Sequence, residues 1–167
     1  KLYGGIERII DVLVRKLVER GHDVALCAHP ESTTPAHRLF PWAGDQSRGA
    51  AASLANMKRL RDAVVEWRPD LIHSFSRLAY LLPLLPSSTP KVMSYQRDPS
   101  LRTTRWARRL SRGSLTFTGC SENICRLGRR AGGDWVPIHN CVEMDRLTYR
   151  DTVANDGEFN PTVGTAV

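Results

Sequence analysis

The sequence predicts an α/β fold, a parallel sheet wound on both sides by helices. Two observations carry that prediction. Short apolar segments of strand length alternate with amphipathic segments of helical period along most of the chain. The strand-like segments are apolar throughout, which is the pattern of parallel strands covered on both faces. A third observation says where ligands would go. A glycine pair, Gly4-Gly5, stands immediately before the first helix. Without a Cβ, such a loop lets another molecule approach the backbone closely. The helix start behind it offers unpaired N–H groups and the positive end of a dipole, an anion site.

Taken in order, Ile6, Ile9, Ile10, Leu13, Leu17 and Val18 recur at helical spacing, and Arg15, Lys16, Glu19 and Arg20 mark the wet side. Gly21 is a C-cap, so the first helix runs over 6–20. Residues 23–28 read as a short buried strand, and 29–49, rich in Pro, Ser, Thr and Gly, as a loop. A second helix spans 50–68, with Leu54, Met57, Leu60, Val64 and Trp67 on its apolar face, and Pro69 stops it. Strands follow at 70–75 and 91–95, separated by a short helix over 76–85 and a Pro-Ser-Thr turn. A basic helix is expected over 103–112, a strand over 115–120 and a helix over 121–131 that Gly132-Gly133 breaks. Residues 135–139 form the last strand. All five strands are expected in one parallel sheet.

One domain with a proper core fits 167 residues. The longest apolar run, Leu78 to Leu85, is interrupted by Pro83 and falls far short of the roughly 20 residues that cross a bilayer. Cys120 and Cys125 have a spacing that matches no common zinc pattern, so no metal site is expected. The cysteines read as buried free thiols, and a reducing cytoplasm as the natural compartment. The net charge of +7 is local. Between Arg97 and Arg130, nine arginines face only Asp98 and Glu122, which places a net +7 in that segment. Such a face implies an anionic partner, whether a phosphate-bearing ligand, anionic lipid or nucleic acid.

In a parallel α/β sheet, ligands collect at the carboxyl ends of the strands. The polar residues there are His73, Gln96-Arg97-Asp98, Ser121-Glu122 and Asn140, together with the Gly4-Gly5 loop.

Five local patterns, in order, then resemble the N-terminal domain of a family 4 glycosyltransferase of the two-domain GT-B type. Tyr3-Gly4-Gly5-Ile6-Glu7-Arg8 resembles the family's first loop. Glu19-Arg20-Gly21-His22-Asp23-Val24 resembles its "ERGHEV" junction, and Pro69-Asp70-Leu71-Ile72-His73 its "PDVVH" strand. Thr118-Gly119-Cys120-Ser121-Glu122 resembles the strand ending in Ser-Glu, and Ile138-His139-Asn140-Cys141-Val142-Glu143 the "PNGVD" segment leading to the second domain. The resemblance covers residues 1–150 and implies a Rossmann-like acceptor-side domain, with 151–167 as a tail or the start of a linker.

What the resemblance implies is a retaining transfer of a sugar from a nucleotide-sugar donor to a saccharide or lipid-linked acceptor, in the cleft between two domains. The nucleotide sugar is a co-substrate, and no cofactor or metal is expected. Gly4 and Gly5 would lie against the donor diphosphate. His73 is the candidate catalytic residue. Gln96, Arg97, Ser121, Glu122 and Asn140 would bind the acceptor. The sequence departs from the family in three ways. The family's first strand, which would lie mid-sheet, does not precede Gly4-Gly5. Gln96 stands where a second His often ends a "T-x-H" strand. The donor domain with its Glu-x7-Glu motif is not part of the sequence, so this chain alone is expected to be inactive.

Each candidate also has a plainer reading. Gly4-Gly5 can be a tight turn, His73 a strand histidine with a satisfied hydrogen bond, and Arg97 part of a solvated basic face. Ser121 and Glu122 can be an N-cap with an acid in the first turn. Gln96 cannot act as a base, but it can donate and accept hydrogen bonds to hydroxyls. Trp106 and Trp135 are expected to pack internally. Arg102, Arg105, Arg108, Arg109 and Arg112 either form a wet face or contact an anionic membrane surface. The rival to an enzyme is a basic, non-enzymatic module docking on membrane or nucleic acid. Nucleic acid is disfavoured because the basic segment is expected to lack exposed aromatics for base stacking. A family member acting on envelope or lipid-linked saccharides would be cytoplasmic, peripheral at the inner face of the membrane.

Overall fold

The computed structural model describes residues 4–43 and 49–143. Both the expected tail over 151–167 and the domain limit at 150 lie outside the described residues. The element order is α1 (Gly5–Glu19), β1 (Ala25–Ala28), β2 (Arg38–Pro41), α2 (Ala50–Trp67), β3 (Ile72–Ser74), a 3-10 helix (Leu78–Leu84), β4 (Lys91–Tyr95), α3 (Leu101–Leu110), β5 (Leu115–Gly119), α4 (Glu122–Arg129) and β6 (Trp135–Pro137). Every strand pairing is parallel.

The expected α/β architecture is present, but the strands form two sheets rather than one. One has four strands in the order β3-β4-β5-β6, and the other pairs β1 with β2. β2 lies inside the stretch read as a loop. Its four residues, the last of them Pro41, are too few to show a period. What makes them a strand is pairing with β1, which sets Cys27 beside Phe40, a buried side chain.

Consecutive order in a parallel sheet requires each crossover to step the same way. Right-handed crossovers then put the connecting helices on one face. The core is on that face. Ile72, Met93, Leu115, Phe117 and Trp135 of the sheet pack against Leu78, Leu81, Leu84 and Leu85 of the 3-10 region, Ala107 of α3, and Ile124 and Cys125 of α4. Phe117 and Trp135 stack with centroids 4.8 Å apart and planes 16° apart. Gly128 of α4 lies so close to the Trp135 indole that a Cβ there would run into the ring.

Pleating sends His73, Val92, Ser94, Thr116, Thr118 and Val136 to the opposite face. Coverage there is partial. Ser94 and Thr118 are buried, Val92 and Thr116 are half-buried, and Val136 is exposed.

Helix ends follow local chemistry. Gly21 adopts φ 81° just past α1, as its C-cap role requires, and Arg68 turns left-handed (φ 52°) ahead of Pro69. Three expected faces change. Arg15, read as wet, is half-buried and bridges Asp11 (3.0 Å) and Glu143 (2.7 Å), which ties α1 to the segment after β6. Those two carboxylates hold its pKa above the ordinary arginine value, Glu143 contributing most. Leu54, read as apolar-face, is 65% exposed, and Asn56 is buried instead. Asn56 accepts from the Ala43 N–H and donates to the Tyr80 hydroxyl, so burial costs it little. Trp135 packs internally as expected, but Trp106 is 57% exposed.

Among the cysteines only Cys125 is fully buried; Cys27 and Cys120 are half-buried and Cys141 is exposed. Burial pushes the Cys27 thiol up to about 11, which keeps it protonated and inert near neutral pH.

Candidate active site

The carboxyl ends of β3, β4, β5 and β6 stand side by side in that order. Three gaps between adjacent strands, at about 4.8 Å each, make a row roughly 14 Å long. His73 is in β3, Gln96 follows β4, Ser121 follows β5 and Asn140 lies just past β6. The chain keeps its strand pairing slightly beyond the ladders: Cys120 N–H donates to Tyr95 O and Ile138 N–H to Gly119 O. That extends the β4–β5 and β5–β6 pairings into the loops that follow β5 and β6.

His73 is the best-anchored member. Its Nε2 lies 2.7 Å from Ser94 Oγ, and Ser94 Oγ lies 2.7 Å from Thr118 Oγ1. The three side chains thus form one chain of hydrogen bonds across β3, β4 and β5, along the partly covered face. The ring also stacks on Phe75, with centroids 4.5 Å apart. One side of the residue is open to solvent. The packed side dominates its titration, and desolvation lowers the imidazole's pKa below the ordinary histidine value. With Nε2 engaged by Ser94, the ring leaves Nδ1, which has no partner among the described residues, to exchange a proton or a hydrogen bond with a ligand. Ser94 and Thr118 are site-supporting residues that sequence reasoning missed. The signal was two hydroxyls in otherwise apolar strands, at positions that parallel pairing puts on His73's face.

Gln96 is half-buried, and Arg97 and Asn140 are exposed. None of these three side chains makes a hydrogen bond to a described residue. Ser121 and Glu122 behave differently. Ser121 Oγ accepts the Ile124 N–H at 3.3 Å and caps α4, and Glu122 pairs with Arg129. Their plainer roles are therefore occupied.

Gly4 and Gly5 stand at the start of α1. Gly4 is the N-cap, and a Cβ on it would collide with the Glu7 carboxylate folded back over the helix start. A Cβ on Gly5 would meet nothing within 4 Å.

The sequence matches the family model "Glycosyltransferase Family 4" over residues 3–146. The chain belongs to glycosyltransferase family 4. No curated protein matches it. For a family 4 domain, parallel strands with helices are the expected α/β framework. Sugar donor and acceptor substrates follow from membership in general terms. No helix among the described residues is long and apolar enough to cross a membrane.

The five arginines expected on one anionic surface are all exposed but do not all share one face of α3. The inward side of α3 is Thr104 and Ala107, both buried. Arg102, Arg105 and Arg109 sit opposite them by helical phase. Arg108 instead lies against the turn before β6, where a Cβ on Gly132 or Gly133 would come within 3.2 or 3.1 Å of it. Arg112 follows the helix in a left-handed conformation, φ 50°. The expectation that this segment has no exposed aromatic fails at Trp106, because the neighbouring 3-10 helix covers too little of α3 to bury an indole.

Proposed function

We propose that this domain is the acceptor-binding half of a retaining glycosyltransferase. It would present a saccharide or lipid-linked hydroxyl to a nucleotide-sugar donor held mainly by a second domain. One observation carries the reading. In a family 4 domain, the carboxyl-end row holds an imidazole anchored by Ser94, in a row with Gln96, Arg97 and Asn140, whose side chains have no hydrogen-bond partner among the described residues. Such groups suit a polyhydroxyl ligand, because each hydroxyl both donates and accepts.

In this reading His73 Nδ1 hydrogen-bonds the attacking hydroxyl or a neighbouring one, and Ser94 holds the ring in place. Gln96 and Asn140 orient other hydroxyls, and Arg97 pairs with negative charge on the acceptor. Ser121 and Glu122 contribute through the start of α4 rather than through free side chains. The open space over Gly5 supports close approach of the donor diphosphate to the α1 N-terminus, whose N–H groups would share its charge.

The test uses the full-length enzyme with a panel of nucleotide sugars and acceptors. Ser94→Ala should lower kcat/KM for acceptor by about tenfold to a hundredfold through loss of His73 orientation, and His73→Ala by at least as much. Unchanged kcat/KM in both variants would remove the row from the acceptor site. The present chain alone should bind no nucleotide sugar more tightly than about millimolar, near −4 kcal/mol, by calorimetric titration.

A further inference from the structure

The hydrogen bonds that link His73, Ser94 and Thr118 have a direction, and counting protons fixes it. Ser94 and Thr118 are buried, at 6% and 5% exposure. Each hydroxyl has one proton to donate and can also accept. Ser94 Oγ has two partners, His73 Nε2 and Thr118 Oγ1, each at 2.7 Å. Thr118 Oγ1 has Ser94 as its one partner among the described residues. The next strand sets Val136 in register with Thr118, and that side chain has no polar atom. The series of bonds therefore ends at Thr118. At its other end, His73 Nδ1 has no partner among the described residues.

Three arrangements of protons fit these two bonds. In the first, Nε2 carries the ring proton and donates to Ser94, and Ser94 donates to Thr118. The Thr118 proton then meets no acceptor. In the second, Nε2–H and Thr118 both donate to Ser94, and the Ser94 proton is stranded instead. A buried donor without an acceptor is costly and rare. The third strands nothing: Thr118 donates to Ser94, Ser94 donates to Nε2, and the ring proton sits on Nδ1. Charging the ring would force Nε2 to donate and would strand a hydroxyl proton. The network thus opposes protonation in the same sense as desolvation, which lowers the pKa of this imidazole.

We propose that Ser94 and Thr118 are positioning residues that hold His73 in its Nδ1–H tautomer, so that the open nitrogen donates a hydrogen bond to an oxygen lone pair of the ligand and takes no proton from it. The ligand contact rests on the reading of the carboxyl-end row as the acceptor site; the tautomer does not. The group recognised is then an oxygen that accepts, in a hydroxyl, an ether or an acid, and any proton that the ligand loses goes to a group other than His73.

The first experiment reads the tautomer. The chain is prepared with isotope-labelled histidine, and long-range proton–nitrogen correlations are recorded at pH 8, above the ordinary histidine pKa of about 6.5. His73→Asn identifies the His73 signals by their loss. A single form is expected, with the proton on Nδ1. Ser94→Ala removes the donor to Nε2, and the ring should then populate both tautomers. Thr118→Val keeps the shape without the hydroxyl. It should retain the Nδ1–H form, because Nε2 is then the only acceptor in the network for Ser94. A parent with its proton on Nε2, or an unchanged pattern in Ser94→Ala, overturns the proposal. The second experiment uses the full-length enzyme and the isosteric pair His73→Asn and His73→Asp. An amide at the Nδ1 position can donate and a carboxylate cannot, so kcat/KM for acceptor should be about tenfold higher with Asn than with Asp. The reverse order would make His73 a base and overturn the proposed contact. Parent-like activity in both variants would remove the row from the acceptor site and the contact with it, and would leave the tautomer to be decided by the spectra.

Discussion

The two ends of the four-stranded sheet treat polar groups in opposite ways. At the amino end, Lys91 is almost wholly buried, and its Nζ donates to Ser87 O (2.8 Å), Thr89 O (2.6 Å) and Ser114 Oγ (2.8 Å). Ser114 in turn donates toward Ser87 O and Ser111 O, and buried Ser111 donates to Arg108 O. Every polar atom of that cluster is served by the chain, and desolvation lowers the lysine's pKa. At the carboxyl end, Gln96, Arg97 and Asn140 are left without side-chain partners among the described residues, and His73 is satisfied at one nitrogen. The difference teaches where to look for function. Polar groups that hold the fold together are paired inside it, and groups kept open need a partner from outside.

The strongest break of that contrast is at Lys91. Lys91→Met should destabilise the domain by about 3 kcal/mol, because it strands the Thr89 carbonyl in a dry site and leaves the Ser87 carbonyl to the Ser114 hydroxyl alone. Urea unfolding followed by circular dichroism measures it. A loss below 1 kcal/mol would mean that water reaches the cluster. Gly128→Ala comes next, at about 2 kcal/mol, since the new methyl must displace the Trp135 indole from α4. Thermal melts compared with the parent would show it, and an unchanged melting temperature would refute the close packing.

At the carboxyl end the expected stability effects are smaller. The folded-state pKa of His73 is depressed, so protonation favours the unfolded chain. Its contribution is present above the unfolded value of about 6.5 and is lost as pH falls from there through the lower folded value. The slope should be shallow, because one side of the ring is solvated. His73→Gln should flatten it in pH-dependent denaturation curves; an identical slope would place the titration elsewhere. Smallest of all is Gly5→Ala, which should shift stability by no more than about 0.5 kcal/mol, since no described residue occupies the space. The same variant of the full-length enzyme should lose transfer activity by roughly a hundredfold if a diphosphate packs there. Full activity would leave Gly5 as an ordinary helix start.

Much of the framework was legible because local patterns carried it. The helical period of residues 6–18, the stop at Pro69 and the glycine breaks at Gly21 and Gly132 are near-neighbour chemistry, and each element appears close to its expected limits. The positions of His73, Gln96, Ser121 and Asn140 were legible too, because a parallel sheet sends every strand's carboxyl end to one edge. What was not legible depended on partners remote in sequence. β2 exists through its pairing with β1. Ser94 and Thr118 join His73 only through register. The exposed and buried sides of α3 were set by how little of it the 3-10 helix covers, which moved Trp106 outward and Arg108 away from the other arginines.

By itself, then, the sequence determined the α/β class, the parallel direction, the order of the elements other than β2 and the local concentration of positive charge, all of which follow from periodicity, turn chemistry and counting. Tertiary structure alone decided that the strands divide into two sheets and that Lys91 is a buried tie. It also decided that Ser121 and Glu122 are already engaged, and that one imidazole is fixed by a hydroxyl chain. The physical reason is that hydrogen-bond satisfaction and burial belong to pairs of residues brought together by the fold, and no single stretch of chain contains both partners.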